Sequence, residues 1–194
     1  MTPLPQTERP PLATACWRRL DQPGHDSARL VERAEGRFLS GVAVWLSETG
    51  PAALSYQVEL APDWTTIADQ VHGFIGKAAL DRTIVRRGLD WTLNGIPQPT
   101  VAGMLDLDFQ FTPATNLQQL RRLHLEIGER AECPVAWLQE GASELTVLPQ
   151  TYHRLDRHRF AYEASSVGYR STLILAEDGF ARVYPDGWEL EARE

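Results

Sequence analysis

The chain has 194 residues, with 19 Lys and Arg against 26 Asp and Glu, so its formal net charge is −7 at neutral pH. A negative net charge argues against a protein that binds nucleic acid or an anionic membrane surface non-specifically, because such proteins need a positive field. The chain is 43% hydrophobic and 23% charged, as is typical of a globular domain, and its two cysteines are too few for a disulfide framework.

The N-terminal segment is rich in proline, with prolines at positions 3, 5, 10 and 11. This composition predicts a mobile leader over residues 1–15, followed by a single domain over residues 16–194. The leader lacks the unbroken apolar run of an export signal, and no stretch reaches the ~18 apolar residues of a membrane span. We therefore expect a cytoplasmic protein with no membrane span.

Alternation of apolar and polar residues with period two dominates the rest of the chain. It predicts strands near residues 38–46, 55–60, 64–72, 82–87, 89–93, 105–111, 122–127, 134–138, 145–152, 160–162, 173–175 and 180–184. Turn signals such as Asn94-Gly95 and Asp178-Gly179 recur between these strands and are typical of hairpins. The pattern predicts an all-β, mainly antiparallel domain with at most one or two short helices, the clearest being a helical turn at residues 116–120.

Two carboxylates, Asp106 and Asp108, stand two residues apart in the predicted strand 105–111. On a strand this spacing places both side chains on one face, roughly 7 Å apart. The pair has three interpretations: the solvent face of an amphipathic strand, polar contacts with a ligand, or the acid and base of a glycosidase-like site.

Two neighbouring basic residues, Arg121 and Arg122, follow shortly afterwards. If a strand has begun there, their side chains point to opposite faces. One of them would then lie inward and pair with an aspartate, because a buried guanidinium needs a partner. The alternative is contact with an anion or a sugar.

Gln150 and Tyr152 share a face of the predicted strand 145–152. An amide beside a phenol suits the recognition of sugar hydroxyls, although a tyrosine with a satisfied hydroxyl is also common at a core edge. The chain carries no zinc-binding His or Cys spacing, and it lacks the glycine-rich loops that hold nucleotides. No metal and no cofactor are therefore predicted.

The segment LDLDFQFTPATNLQQLRRL at residues 105–123 resembles the signature of a bacterial family called putative glycolipid-binding. Further similarities in the same order are Asp63-Trp64, Asp90-Trp91, Val135-Ala136-Trp137, Gln150-x-Tyr152 and Tyr184-Pro185, so the resemblance spans about residues 15–190. The chain departs from the family pattern at residues 118–120, where the family usually has a proline before the arginine pair. The resemblance implies an antiparallel sheet that is strongly curved into a half-barrel-like shell.

The resemblance favours a non-enzymatic binding protein for a lipid or glycolipid, with the ligand held in the concave apolar face of the sheet. The candidate contacts are Asp106, Asp108, Asn116, Arg121, Arg122, Gln150 and Tyr152. Two alternatives stay open: an enzyme that acts on a sugar or carboxylate through Asp106 and Asp108, and a structural or partner-binding domain without a small-molecule ligand. No nucleic-acid partner is expected, and the sequence indicates no particular oligomeric state.

Overall fold

A computed structural model describes residues 10–193 of the chain. The strands are β1 (Ala13–Arg19), β2 (Gly24–Arg33), β3 (Gly36–Ser47), β4 (Gly50–Leu60), β5 (Thr66–Ile75), β6 (Ala78–Arg87), β7 (Asp90–Leu93), β8 (Ile96–Pro97), β9 (Leu107–Phe109), β10 (Arg130–Glu132), β11 (Val135–Leu138), β12 (Thr146–Leu148), β13 (Thr151–Arg154), β14 (Arg159–Ala164), β15 (Tyr169–Leu175), β16 (Ala181–Tyr184) and β17 (Trp188–Arg193). In this range there is one α-helix, α1 (Asn116–Leu123), and there are two 3-10 turns, Pro99–Val101 and Ser165–Val167.

Fourteen of the strands form one antiparallel sheet in the order β10-β13-β14-β15-β16-β17-β1-β2-β3-β4-β5-β6-β7-β8. Strand β1 pairs with both β2 and β17, so it joins a wing formed by β2–β8 to a wing formed by β17, β16, β15, β14, β13 and β10. The sheet is not closed into a barrel, and β8 and β10 are its two edges. The predicted all-β, mainly antiparallel fold is confirmed.

Tight turns hold the hairpins of this sheet in register. Asn94 and Gly95 both have positive φ, at 51° and 78°, between the paired residues Leu93 and Ile96. This is the backbone that a two-residue hairpin requires, and asparagine and glycine adopt it more readily than other residues. The predicted turn at Asn94-Gly95 is confirmed.

Residues 105–123, which we call the inner segment, lie against one face of the large sheet. Within it, β9 pairs in parallel with β11, which in turn pairs with β12. Thr112 of the inner segment bonds Asp26 of β2, and Asn116 bonds Tyr152 of β13. Because both wings contact the same segment, the sheet bends around it.

The inner segment covers part of the concave face of the sheet. The larger of two core clusters joins inward residues of β1–β7, such as Trp17 and Leu54, to Phe109 and Phe111 of the inner segment. The smaller cluster includes Tyr152 and Tyr162 of the other wing. A lipid along the concave apolar face would therefore have to share this face with aromatic side chains of the inner segment.

Three local predictions also need correction. The strand predicted at 105–111 is confined to Leu107–Phe109, and all three residues are buried because the large sheet covers the inner segment. The strand predicted at 122–127 is wrong: α1 continues to Leu123 and ends at His124, whose φ of 46° is left-handed. The strand predicted at 145–152 is divided at Pro149-Gln150 into β12 and β13, which belong to different sheets.

The other predicted strands overlap observed ones, and the helical turn predicted at 116–120 is confirmed as the first part of α1. Strand β1 begins at Ala13, inside the segment 1–15 that the sequence predicts to be a mobile leader. Residues 1–9 of that segment lie outside the described residues. In the described part of the chain, no helix is both long and apolar enough to cross a bilayer.

Candidate functional site

The first carboxylate of the motif, Asp106, is fully buried and ion-paired with Arg122 of α1. Arg122 Nε lies 2.9 and 3.0 Å from the two carboxylate oxygens, and Nη2 lies 2.5 Å from Oδ2. Cys133 Sγ lies 3.5 Å from the same Oδ2, and burial raises the pKa of this thiol well above its ordinary value. The predicted pairing of one arginine with an aspartate is confirmed, and the arginine is Arg122.

The second carboxylate, Asp108, is also buried but has no ionic partner among the described residues that contact it. Its Oδ1 accepts a hydrogen bond from Thr115 Oγ1 at 2.5 Å, and its Oδ2 accepts one from Gln150 Nε2 at 2.6 Å. Burial raises the pKa of Asp108, and these two hydrogen bonds oppose the rise because they favour the ionised form. The interpretation of the two aspartates as a solvent-facing pair is wrong, since both are buried in different polar environments.

The hydroxyl of Tyr152 connects Asp108 to helix α1. It donates to Gln119 Oε1 at 2.6 Å and accepts from Asn116 Nδ2 at 2.8 Å. It also lies 3.3 Å from Oε1 of Gln150, whose amide nitrogen bonds Asp108. Together with Thr115, six side chains from the inner segment, from Gln150 and from β13 thus form one continuous buried network.

A cavity of about 290 Å³, which we call the aromatic cavity, opens beside Asp108 and Asn116. Its walls come from the inner segment, from β11 and from the C-terminal wing. The rings that line it are those of Phe109, Trp137, Tyr162, Tyr169, Tyr184 and Trp188.

The tyrosines of this cavity pack on one another in fixed orientations. Tyr169 and Tyr184 are stacked, with ring centroids 5.4 Å apart, and Tyr162 meets Tyr184 edge to face at 5.8 Å. The Tyr169 hydroxyl donates to the carbonyl of Pro185, and this bond helps to fix the orientation of the ring in the cavity wall. Burial raises the pKa of Tyr162 and of Tyr184 above the ordinary value of 10, so both phenols are neutral at physiological pH.

Arg19 lies at the rim of the aromatic cavity between two tryptophans. Its guanidinium carbon is 5.3 Å from the centre of the Trp188 ring and 5.6 Å from that of Trp45. Its nitrogens also pair with Asp21 at 2.8 Å and with Glu140 at 2.9 Å. The two carboxylates neutralise the guanidinium, so Arg19 serves to fix the tryptophan edge of the cavity.

The structure separates the seven predicted contact residues into three groups. Asp108 and Asn116 line the aromatic cavity, and Gln150 and Tyr152 support them from behind through hydrogen bonds. Asp106 and Arg122 form the separate ion pair and line neither this cavity nor the cleft described below. Arg121 lies on another face of α1, exposed, and donates to the Asp178 carbonyl at 2.6 Å.

Sequence reasoning missed Arg19 and the three tyrosines of the cavity walls. The one available signal was the distribution of tyrosine, because four of the five tyrosines come after residue 150. Among the described residues, no group of three or more His, Cys, Asp or Glu is arranged to hold a metal ion.

Comparison with known proteins gives a fold and a family. The fold is similar to that in the crystal structure of a DUF1089 family protein from Pseudomonas aeruginosa, with a TM-score of 0.75 and 23% sequence identity over 97% of this chain and 98% of that one. A search of the curated proteins found no match. The sequence pattern of the family described as "Putative glycolipid-binding" matches residues 14–189, and the chain therefore belongs to that family.

Proposed function

We propose that this protein binds a lipid or glycolipid without transforming it, and that a carbohydrate head group occupies the aromatic cavity. The observation that carries the proposal is the combination of tyrosine and tryptophan walls with the polar side chains of Asp108 and Asn116 in one cavity. The description of the family is in agreement with such a ligand.

The chemistry of the walls suits a sugar. A pyranose ring has an apolar face of C–H groups and a rim of hydroxyls. Aromatic rings offer large apolar surfaces for the face, while a carboxylate accepts hydrogen bonds from the hydroxyls and an amide can both donate and accept them. Tyr169 and Tyr184 provide stacked rings on one wall, and Asp108 provides the acceptor on another.

The polar group is already held in place before any ligand arrives. Thr115 and Gln150 each donate one hydrogen bond to Asp108, so its carboxylate cannot rotate freely and retains unused lone pairs. A group that is fixed in advance loses little entropy on binding. The cavity volume of about 290 Å³ is close to the lower bound for small-molecule sites of ~300 Å³, which suits a head group better than a whole lipid.

The placement of the two aspartates favours binding over hydrolysis. A glycosidase mechanism through Asp106 and Asp108 needs both carboxylates at the substrate. Here Asp106 is occupied by Arg122, and of these two aspartates Asp108 alone lines the cavity.

Calorimetric titration with octyl glucoside and decyl maltoside, below their critical micelle concentrations, tests the proposal. Octanol and decanol serve as tails without a sugar. We expect saturable binding of an alkyl glycoside and clearly weaker binding of the matching alcohol. Tyr169→Ala should weaken glycoside binding by about tenfold, since it removes a stacking surface. Phe74→Ala is the matched control, because Phe74 is an exposed aromatic residue on β5 outside the cavity.

Three results would contradict the proposal. They are the absence of saturable binding to both glycosides, equal affinity for glycosides and alcohols, and equal losses in Tyr169→Ala and Phe74→Ala. Native mass spectrometry of protein purified from its own host gives a second readout, because a retained glycolipid adds its own mass to the chain.

A further inference from the structure

A second cavity, which we call the cationic cleft, lies beside the C-terminal half of α1 and also has a volume of about 290 Å³. Leu117 and Leu120 of the helix form one wall, and β14, β15 and the chain after β13 form the others. The aromatic cavity borders the start of the same helix at Asn116. The two cavities have no lining residue in common.

Positive charge is concentrated at the rim of the cationic cleft. Its lining includes three arginines, Arg121, Arg154 and Arg157, together with His124 and His158. Within the described residues, Glu177 supplies the one carboxylate of the lining. In a chain whose net charge is −7, this cleft is a local excess of positive charge.

Two of these guanidiniums are held by carbonyl oxygens and not by carboxylates. Arg121 Nη2 donates to the Asp178 carbonyl at 2.6 Å. Arg154 Nη1 donates to the Leu125 carbonyl at 2.7 Å, and its Nε donates to the Asp156 carbonyl at 3.2 Å. Carbonyls orient a guanidinium without neutralising its charge. Both cations therefore stay available to an external anion.

Two further rim groups, Arg157 and His158, share the single carboxylate of Glu177. Arg157 Nη2 lies 3.0 Å from one oxygen of Glu177, and His158 Nε2 lies 3.3 Å from the other. Asp156, just outside the lining, is paired with Arg159 at 2.6 Å. Nearby acidic groups thus have partners of their own, and Arg121 and Arg154 are left without a carboxylate among the described residues.

The floor of the cleft is apolar. Leu125 and Phe160 are almost completely buried there, and Leu120 and Leu175 are partly buried beside them. An inorganic anion would use only the rim and would leave this surface in contact with water. An alkyl chain would cover it and remove it from water, which favours binding.

From the fixed guanidiniums above an apolar floor, we infer that the cationic cleft binds a single-chain amphiphile whose head is a carboxylate or a phosphate. The oxyanion lies between Arg121 and Arg154, and the alkyl chain lies over Leu120, Phe160 and Leu175. This site is additional to the aromatic cavity and does not depend on sugar binding there.

Calorimetric titration of the whole chain with laurate and with dodecyl phosphate, below their critical micelle concentrations, tests this inference and distinguishes the two head groups. Dodecanol supplies the tail alone, and inorganic phosphate supplies the anion alone. We expect saturable binding of at least one of the charged amphiphiles, and binding at least about tenfold weaker for dodecanol and for inorganic phosphate.

Arg121→Gln should weaken binding of the charged amphiphile by about tenfold, because it removes a charged donor. Arg157→Gln, at a side chain that is 74% exposed, should also weaken binding of the charged amphiphile. Glu177 then loses one of its cationic partners, and its negative charge repels the anionic head group. Arg87→Gln is the matched control, because Arg87 is exposed on β6 and lies outside the lining. Circular dichroism verifies that each variant is folded.

Several outcomes would overturn the inference. Equal affinity for dodecanol and dodecyl phosphate would show that the guanidiniums do not recognise the head. Equal affinity for inorganic phosphate would show that the floor does not hold the tail. Arg121→Gln and Arg157→Gln behaving like Arg87→Gln would place the binding elsewhere. Tyr169→Ala should leave this binding unchanged, so that failure here and failure of sugar binding are told apart.

Discussion

Arg122 covers the carboxylate of Asp106 from a position 16 residues further along the chain, with three nitrogen–oxygen contacts of 2.5 to 3.0 Å. Asp106 has no exposed surface, whereas the Arg122 side chain is 20% exposed. The ion pair therefore anchors the last turn of α1 to the residue that precedes β9. It holds the inner segment as a closed loop inside the curved sheet.

Removal of Arg122 should destabilise the protein strongly. Arg122→Ala leaves a buried carboxylate without a partner, and the loss of one member of such a pair costs about 3–5 kcal/mol of unfolding free energy. Urea unfolding followed by circular dichroism measures this. Arg121→Ala is the control, because its exposed neighbouring side chain should change stability by less than about 0.5 kcal/mol. Equal losses in the two variants would contradict a special role for the ion pair.

Tyr152→Phe should destabilise the fold without changing the shape of the core. The substitution removes only the hydroxyl that joins Asn116 to Gln119, and leaves both amides without that partner inside the protein. The expected cost is about 1–3 kcal/mol, measured by urea unfolding. His153→Gln, at a partly exposed neighbour on β13, should be close to neutral. An unchanged stability in Tyr152→Phe would mean that the network contributes nothing to folding.

Asp26 should make stability depend on pH. Its buried carboxyl accepts hydrogen bonds from Thr112 Oγ1 at 2.5 Å and from the Tyr56 hydroxyl at 2.9 Å, yet burial raises its pKa from 3.8 to about 7. Between about pH 4 and pH 7 the folded state keeps a proton that the unfolded state has lost. The contribution of this proton to stability is complete below about pH 4, falls as the pH rises, and is gone above about pH 7.

The difference in unfolding free energy between wild type and Asp26→Asn isolates this effect, because asparagine does not titrate. From pH 4 to pH 7 we expect wild type to lose up to roughly 4 kcal/mol relative to the variant. Urea unfolding of both proteins across this range gives the comparison. A difference that is flat, or that moves in favour of wild type, would show that Asp26 is already ionised in the folded protein at low pH.

Gly41→Ala should disrupt the packing around Tyr56. A methyl group at position 41 would lie 2.4 Å from the Tyr56 hydroxyl oxygen and 2.6 Å from the Ser27 carbonyl oxygen. Asp26 and Thr112 hold that hydroxyl in place, so the ring cannot move aside without breaking these bonds. We expect a loss of about 1–3 kcal/mol in thermal or urea unfolding. Ser40→Ala, at the preceding residue, should have little effect, and similar losses in the two variants would contradict the steric explanation.

Nine of the fourteen strands of the large sheet overlap a predicted strand, because alternation marks a strand with one face on the core and one face towards solvent. Strands β1, β2, β8, β10 and β17 lie outside every predicted range. Strand β4 is an example: Leu54, Tyr56 and Val58 are buried, whereas Gln57 between them is exposed. The same alternation is typical of a solvent-facing pair at Asp106 and Asp108, but both carboxylates are buried. A sequence pattern records polarity, and it does not reveal whether a carboxylate meets water or a partner such as Arg122 that folding brings to it.

Local sequence patterns could predict neither the residue at which α1 ends nor the aromatic cavity, for different reasons. Leucines at 117, 120 and 123 favour a helix, whereas those at 123 and 125 also fit a strand. The helix ends in a left-handed residue, His124, which lacks the usual glycine signal. The rings of the cavity walls come from the inner segment and from β11, β14, β15, β16 and β17, and only tertiary folding places them together.

The pairing of β1 with β17 has a consequence for synthesis of the chain. Trp17 of β1 pairs with Leu190 of β17, which is 173 positions later. While the ribosome is still making the second wing, β1 therefore remains an open template with unsatisfied backbone groups, and such an edge is prone to pair with other chains. Nascent molecules should be most vulnerable to aggregation in this interval, and translation of β17 should close it.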